Sequence, residues 1–457
     1  MLRKDIYTKA FRSRVLELMR NYIRNKRIMG LLKKKHKAEL YDKIQSVIGN
    51  YNDRMVRGIF KYDFDIDAEI LRDILVAFCK SSPIMHSSFC KGVLRHKWIE
   101  KSFVNEDIFF VKYCDTPERE AEKFICTVLP VDGNVQLKIG LFKDNKTKYS
   151  ILAMITNHMY MDGGDFKYFM KKLCTAYNQK LKNTQSLCVL KNGSRGYDKV
   201  YDDLEIEIKK RAKLLYSNPT PKNTKKLELS QDSAEDISFI IKENIPSKYF
   251  AKIKEYGKKH NATINDLILS AYFQSLCDVG SMSCSEAITI SGAIDLRRYI
   301  LDSDKTGITN HSTYLPYTIA NVENKYESIL NAVTEISRKY KDDPFTGLYG
   351  LPLLKFGYSA FPAFMADKLV KKFYNNPNLA MSNIGILYEE NYRIGEHIPS
   401  EAFITGTVKY KPGIMVTVTT YKNEITLTMC CRGNEQDKQI LSGIINNIKE
   451  VLINISL

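Results

Sequence analysis

One histidine in this chain stands where it could do chemistry. In "ITNHMYMDGGDF", Ile155 to Phe166, His158 closes an apolar run, and Asp162 and Gly163 follow it at H-x-x-x-D-G spacing. An imidazole titrates close to neutral pH, and at the end of a buried strand its ring is held by the sheet yet exposed where the chain turns, placed to exchange a proton. Asp162 lies four residues on, where its carboxylate can fold back beneath the turn and bind a cation from another segment. Gly163 lets backbone and substrate approach closely. The bland alternative is a buried histidine satisfied by a carbonyl, with Asp-Gly-Gly as simple turn punctuation. His311, in "TNHSTY", is the next histidine to test and reads as a structural residue of a strand-like segment. His36, His86, His96, His260 and His397 have no motif around them.

The elements that must position this turn are legible on both sides of it. "YSILAMITNH" is an apolar run of buried-strand length, and Phe166, Phe169, Met170, Leu173 and Tyr177 mark an amphipathic helix after the turn. Upstream, "MVRGIFKYDF" reads as a strand, Ile70, Leu71, Ile74, Leu75 and Phe78 as one face of a helix ending before Pro83, and "IFFVKYC" and "VQLKIGLF" as two more strands. From 183 to 234 the chain turns polar and turn-prone, a linker or partly ordered crossover. The second half repeats the plan. "ISFIIKENI" is a strand; a helix follows through Tyr249 and Ile253; and "NATINDLILSAYFQSLCDVG" is a helix that Thr263 can cap. "AITISGAIDLRRYI" is a central strand with a charged exit, "GIMVTVTTYKNEITLTMCC" a hairpin around Lys422-Asn423, and "QILSGIINNIKEVL" a closing helix. The expected divisions are 1–50, a basic extension; 51–182, a first lobe carrying the motif; 183–234, the crossover; and 235–457, a second lobe.

The 457 residues exceed one typical core, which fits two lobes. No apolar run is long enough to span a membrane, and the charged start argues against a secretory signal, so a cytoplasmic protein is expected. The net charge of +17 is uneven: in residues 1–40, thirteen Lys and Arg against Asp5, Glu17 and Glu39 leave +10, and the remainder carries +7. Phe11, Val15, Leu18, Met19 and Tyr22 recur there at helical spacing, so the arm reads as a basic amphipathic helix. It either docks on the body or meets a membrane surface or acidic partner; no nucleic acid is expected, because no recognition motif accompanies the charge. The ten cysteines show neither C-x-x-C nor metal-ligand spacing, so neither disulfides nor a metal is expected.

The turn, "AFCKSSPIMHSSF", "TINDLILSAYFQSL", "AIDLRRYI" and "MSNIG" together, in this order over about 51–457, resemble the chloramphenicol acetyltransferase-like superfamily. It includes condensation domains of nonribosomal peptide synthetases, polyketide-associated acyltransferases and alcohol acetyltransferases. The resemblance implies an α/β (α+β) fold of two such lobes forming a V with a central channel. It implies acyl transfer, with His158 as general base, Asp162 paired with Arg297 (Arg298 as fallback) and Gly163 giving the substrate room. Ser382 and Asn383 would contact the substrate or tetrahedral intermediate. Asn157, where condensation domains usually carry a first histidine, would border the substrate, and the D-F-G-W-G segment of plant acyltransferases is absent. No Ser or Cys occupies a nucleophile elbow, which favours direct transfer over an acyl-enzyme. No cofactor is expected to be bound permanently. The donor implied is an acyl-phosphopantetheine thioester, on coenzyme A or an acidic carrier protein, and the acceptor a small or carrier-bound hydroxyl or amine.

Overall fold

The computed structural model describes residues 34–184, 189–202, 204, 210–211, 226–302 and 306–457. Most of the predicted amphipathic arm therefore lies outside the described residues, as does Cys188. In chain order the elements are β1 (Lys35–Lys37), α1 (Leu40–Ile48), β2 (Met55–Tyr62), α2 (Ala68–Ser81), β3 (Ser87–Cys90), β4 (Lys97–Glu100), β5 (Phe109–Cys114), α3 (Pro117–Ile125), β6 (Leu137–Asp144), β7 (Ser150–Asn157) and α4 (Gly163–Leu181). The second half adds β8 (Ile237–Ile245), α5 (Ser247–Lys259), α6 (Ile264–Asp278), β9 (Ile288–Asp295), β10 (Ser312–Ile319), α7 (Tyr326–Asp342), α8 (Leu351–Ala360), α9 (Ala363–Phe373), β11 (Leu379–Leu387), β12 (Glu401–Thr405), β13 (Ile414–Tyr421), β14 (Glu424–Gly433) and α10 (Glu435–Asn454).

The strands form two large mixed sheets, each the floor of one lobe, and a small sheet β1-β4-β3. The first has the order β12-β2-β7-β6-β5 and the second β10-β9-β11-β13-β14-β8. β7 is central in its sheet, antiparallel to β2 and β6, and buried along its whole length, which is why it reads as an unbroken apolar run. α4 lays Phe166, Phe169 and Leu173 into the first core, and α6 lays Leu267, Ile268 and Tyr272 into the second, against Leu441, Ile444 and Ile448 of α10. Thr263 caps α6 through a reciprocal box with Asp266. The β13–β14 hairpin turns on Lys422 and Asn423, both at positive φ, as a tight two-residue turn demands.

Three features depart from the sequence reading. β12, from the far half of the chain, leaves the second sheet and pairs antiparallel with β2, so the span 235–457 contributes an edge strand to the first lobe. The segment 189–202, expected in the crossover, is packed down: the Arg195 guanidinium binds the Asp42 carboxylate at 2.8 and 3.1 Å and the Met159 carbonyl at 2.9 Å. Cys277 and Cys284, expected as thiols, form a disulfide; the last turn of α6 and the bend after it bring their Cα atoms to 6.2 Å, within the ordinary span. No helix among the described residues is long and apolar enough to cross a membrane.

Candidate active site

The H-x-x-x-D-G turn joins β7 to α4, and the second half of the chain grips it from outside. Asp162 is the N-cap of α4, accepting from the Asp165 backbone N–H at 2.9 Å. Its other oxygen accepts from Arg297 at 2.9 Å and from the His311 backbone N–H at 2.7 Å. Burial alone would raise the Asp162 pKa, but the Arg297 charge and these hydrogen bonds hold it well below the usual carboxylate range. Arg297, from the short turn Leu296–Tyr299 after β9, also pairs with Asp165 at 2.9 Å and Asp295 at 3.0 Å. Burial works against its charge, yet the facing carboxylates keep its pKa well above normal. Asp165 further binds Lys191 at 2.7 Å and the Thr309 backbone N–H at 2.7 Å. One arginine and two buried carboxylates thus fasten the H-x-x-x-D-G turn to the 306–311 segment.

His158 emerges where this clamp holds the chain. Its backbone N–H donates to the Arg54 carbonyl at 2.6 Å, and the residue as a whole is half-buried. Asn310 Nδ2 lies 3.0 Å from Nδ1, and the residue's own backbone favours the protonated ring. Burial depresses its pKa, opposed by the Asp162 charge, so the imidazole is neutral near pH 7. With the proton on Nδ1, Nε2 is a lone-pair base; with Nδ1 accepting from Asn310, Nε2 is a donor.

The glycines serve contact. A Cβ on Gly164 would sit 2.9 Å from the Arg297 guanidinium and 3.1 Å from the Asp295 carboxylate, so a side chain there would push the arginine off Asp162. A Cβ on Gly163 would meet Ile384 Cδ1 of β11 at 2.8 Å, so the room beside Gly163 is taken up by the opposite lobe. Lys167 of α4 completes this contact, donating to the Ile384 carbonyl at 2.7 Å.

No protein-family model and no curated protein sequence matches the chain. Solved structures do. The first condensation domain of the calcium-dependent antibiotic synthetase, in complex with a substrate analogue, has a TM-score of 0.65 at 12% identity, covering 93% of this chain and 96% of that one. The epimerization domain from the third module of tyrocidine synthetase B has 0.63 at 12%, with the same coverage. The fold is that of the condensation domains. Trichothecene 15-O-acetyltransferase from Fusarium sporotrichioides shares it, with a TM-score of 0.61 at 14% identity, covering 92% of this chain and 96% of that one. Likeness at such identities speaks for the fold, and activity has to be argued from side chains.

Within the condensation fold the other expected residues fall unevenly. Asn157, expected to border the substrate, is fully buried, and its side-chain oxygen accepts from the Met159 N–H at 3.0 Å, so it braces the turn from within. Ser382 and Asn383 lie half-buried on β11. Asn383 donates to Asn265 at 3.3 Å and accepts from Gly385 N–H at 2.9 Å, across a β-bulge that Gly385 closes at φ +77°. They share the β11 strand with Ile384, which reaches Gly163. Arg298, the fallback partner, is exposed and lies over the Tyr299 ring, away from Asp162. Asp165, Asn310, Lys191 and Arg195 were not singled out in the sequence. Asp165 alone had a signal, as the second acid of "DGGD".

His311 is fully buried, and neither ring nitrogen has a partner among the described residues. Burial, then the Arg297 charge, pushes its pKa down to about 3. The unfolded chain, with an ordinary histidine pKa of 6.5, binds the proton first. Stability is therefore fully present above 6.5 and falls as pH drops toward 3, by about 1.4 kcal/mol per unit within that window. His311→Leu, which sacrifices no side-chain hydrogen bond, should flatten this slope in urea midpoints measured against pH. Equal slopes for both proteins would exclude His311 as the source.

Proposed function

We propose that this protein is an acyltransferase of the condensation-domain type, moving an acyl group from a phosphopantetheine thioester to a hydroxyl or amine acceptor. The observation that carries the reading is His158 itself. It is a neutral imidazole of a half-buried residue, on a turn locked by Asp162 and Arg297. In the tautomer with the proton on Nδ1, as the acceptor heteroatom bonds to the thioester carbonyl carbon, its proton passes to Nε2. The tetrahedral intermediate then collapses, the carbon–sulfur bond breaks, and the leaving thiolate takes that proton from the imidazolium. Asp162 stays ionised throughout and fixes geometry, because an arginine partner does not deprotonate. Holding both substrates beside one base supplies the entropic part of the rate enhancement.

Coenzyme A and a carrier protein present the same thioester arm. An acidic carrier would be drawn to a chain of net charge +17. A second reading, a catalytically inactive platform that recruits a biosynthetic partner, draws on Asn157 standing where condensation domains usually carry their first histidine. Membrane contact through residues 1–40, with a lipid acceptor, stands as a proposal resting on the charge of that segment.

The test is mass spectrometry of products from a panel of acyl-coenzyme A and acyl-carrier donors with hydroxyl and amine acceptors. Transfer with stoichiometric thiol release is expected. Its pH profile in kcat/KM should be flat around neutrality and fall on the acid side only below 6.5, the ordinary histidine value, because the base must be unprotonated and its pKa is lowered. A panel with no turnover leaves the platform reading, and an acid limb above 6.5 contradicts a base of depressed pKa.

A further inference from the structure

Helix α9 is built inside out. Ala363 and Ala366 face the interior, while Met365, Leu369 and Phe373 stand four residues apart in one outward stripe, with Phe373 75% exposed. Phe364, Lys368 and Lys372 form the next stripe, also exposed. A helix packed on a core ordinarily does the reverse, burying its largest apolar side chains. The surface continues through Phe361 into the 91–96 loop, where Val93 and Leu94 are 69% and 66% exposed. That loop is fixed to the helix: Ala363 N–H donates to the Leu94 carbonyl at 3.0 Å, and Phe364 N–H to the Val93 carbonyl at 3.3 Å. Arg95 ties it down further through the Phe361 carbonyl at 2.9 Å. An ordered apolar surface of this kind signals an interaction site.

Charge names the occupant. Segments 91–97 and 351–373 together hold seven Lys and Arg and one carboxylate, Asp367. Asp367 turns inward to His96 at 3.0 Å and the Tyr358 hydroxyl at 2.8 Å, so no carboxylate of these segments is left for the outer face. Lys368 lies over the Phe364 ring and Lys372 over the Phe373 ring, cations flanking the rings they would accompany. We propose that α9 and the 91–96 loop form a docking surface for an anionic lipid bilayer. Phe373, Leu369 and Met365 enter the boundary between headgroups and acyl chains, and the lysines remain at the phosphates. The chain's own residues 1–40 carry net +10, the same sign as this face, which disfavours them as its cover. This inference is independent of the acyl-transfer reading, since its readout is binding.

The experiment is co-sedimentation of the full chain with vesicles of phosphatidylcholine containing about one third phosphatidylserine. The wild-type protein should bind, and Leu369→Ser with Phe373→Ser should weaken binding about tenfold or more. Lys368→Gln with Lys372→Gln should weaken it on these vesicles but not on pure phosphatidylcholine. Circular dichroism spectra should coincide for all variants, whose changed side chains are exposed. No binding by the wild type overturns the proposal. So does undiminished binding by the serine variant, which would move the contact elsewhere in the chain. A lipid-free dimer, or a complex with an acidic carrier protein, that the serine substitutions abolish would reassign the surface to a protein partner and equally overturn it.

Discussion

His158→Ala should lower kcat/KM for acyl transfer by about 10²- to 10⁴-fold, the contribution of a positioned general base. It should change the unfolding midpoint little, because the residue is half-buried and the side-chain partner it loses is Asn310. The split matters. A variant that loses activity through a displaced turn would also lose the stabilising contacts of Asp162, whereas His158→Ala leaves the Asp162–Arg297 pair and the cap on Asp165 untouched. The measurement is thiol release with matched urea melts. Residual activity close to wild type, with the fold intact, removes His158 as the base and leaves substrate positioning as the reading of the turn. Asn310→Ala refines the result. If Nδ1 carries the proton, losing Asn310 changes the rate little. If Nδ1 accepts from Asn310, its loss shifts the ring's tautomer and the pH profile with it.

The local parts of this architecture were readable because they are written in local chemistry. The apolar run ending at His158, the cap at Thr263 and the turn at Lys422-Asn423 each announce themselves within a few residues, since strand burial, capping and left-handed backbone are short-range demands. What joins the lobes was not readable. The β12–β2 pairing links residues more than three hundred positions apart, and nothing in "EAFIT" states which strand it will meet. Arg57, fully buried and paired with Asp53, likewise reads as a charged residue in a strand until β12 and its following turn cover it, with the Gly406 carbonyl 3.0 Å away. The polar stretch 189–202 resembled a linker because its composition is that of a loop. Its order comes from Arg195 and Lys191 reaching buried acids on α1 and α4, partners composition does not reveal. At the site, Arg297 was legible only through family likeness. The structure places it against Asp165 as well as Asp162, which makes the clamp three-sided.

That three-sided clamp gives the largest expected loss of stability. Arg297→Met should destabilise the protein by about 3–5 kcal/mol, the ordinary cost of stranding buried charge. Asp162 and Asp165 are 2% and 1% exposed, and both would face a thioether in place of a guanidinium. Lys191 still serves Asp165, and the His311 N–H still serves Asp162, so the loss should fall short of unfolding the chain outright. Asp295 is the internal control. It is half exposed and bonds the same guanidinium at 3.0 Å, so Asp295→Asn should cost no more than about 1 kcal/mol, as for a surface ion pair. Restoring charge with Arg297→Lys should recover only part of the difference, because one ammonium cannot reach Asp162, Asp165 and the Thr309 carbonyl with the planar geometry that Arg297 uses. Denaturant midpoints of the three variants provide the check. The acid limb adds a sign. Asp162 is held ionised in the folded protein, so the clamp's stabilisation is complete above the ordinary aspartate value of 3.8 and fades as pH falls below it. Arg297→Met should therefore lose its disadvantage relative to wild type as the pH is lowered into that range. Equal destabilisation by Arg297→Met and Asp295→Asn at neutral pH would mean that the buried carboxylates do not depend on the arginine, and the bracing of His158 would have to come from Asn310, Asn157, Arg195 and the Arg54 carbonyl.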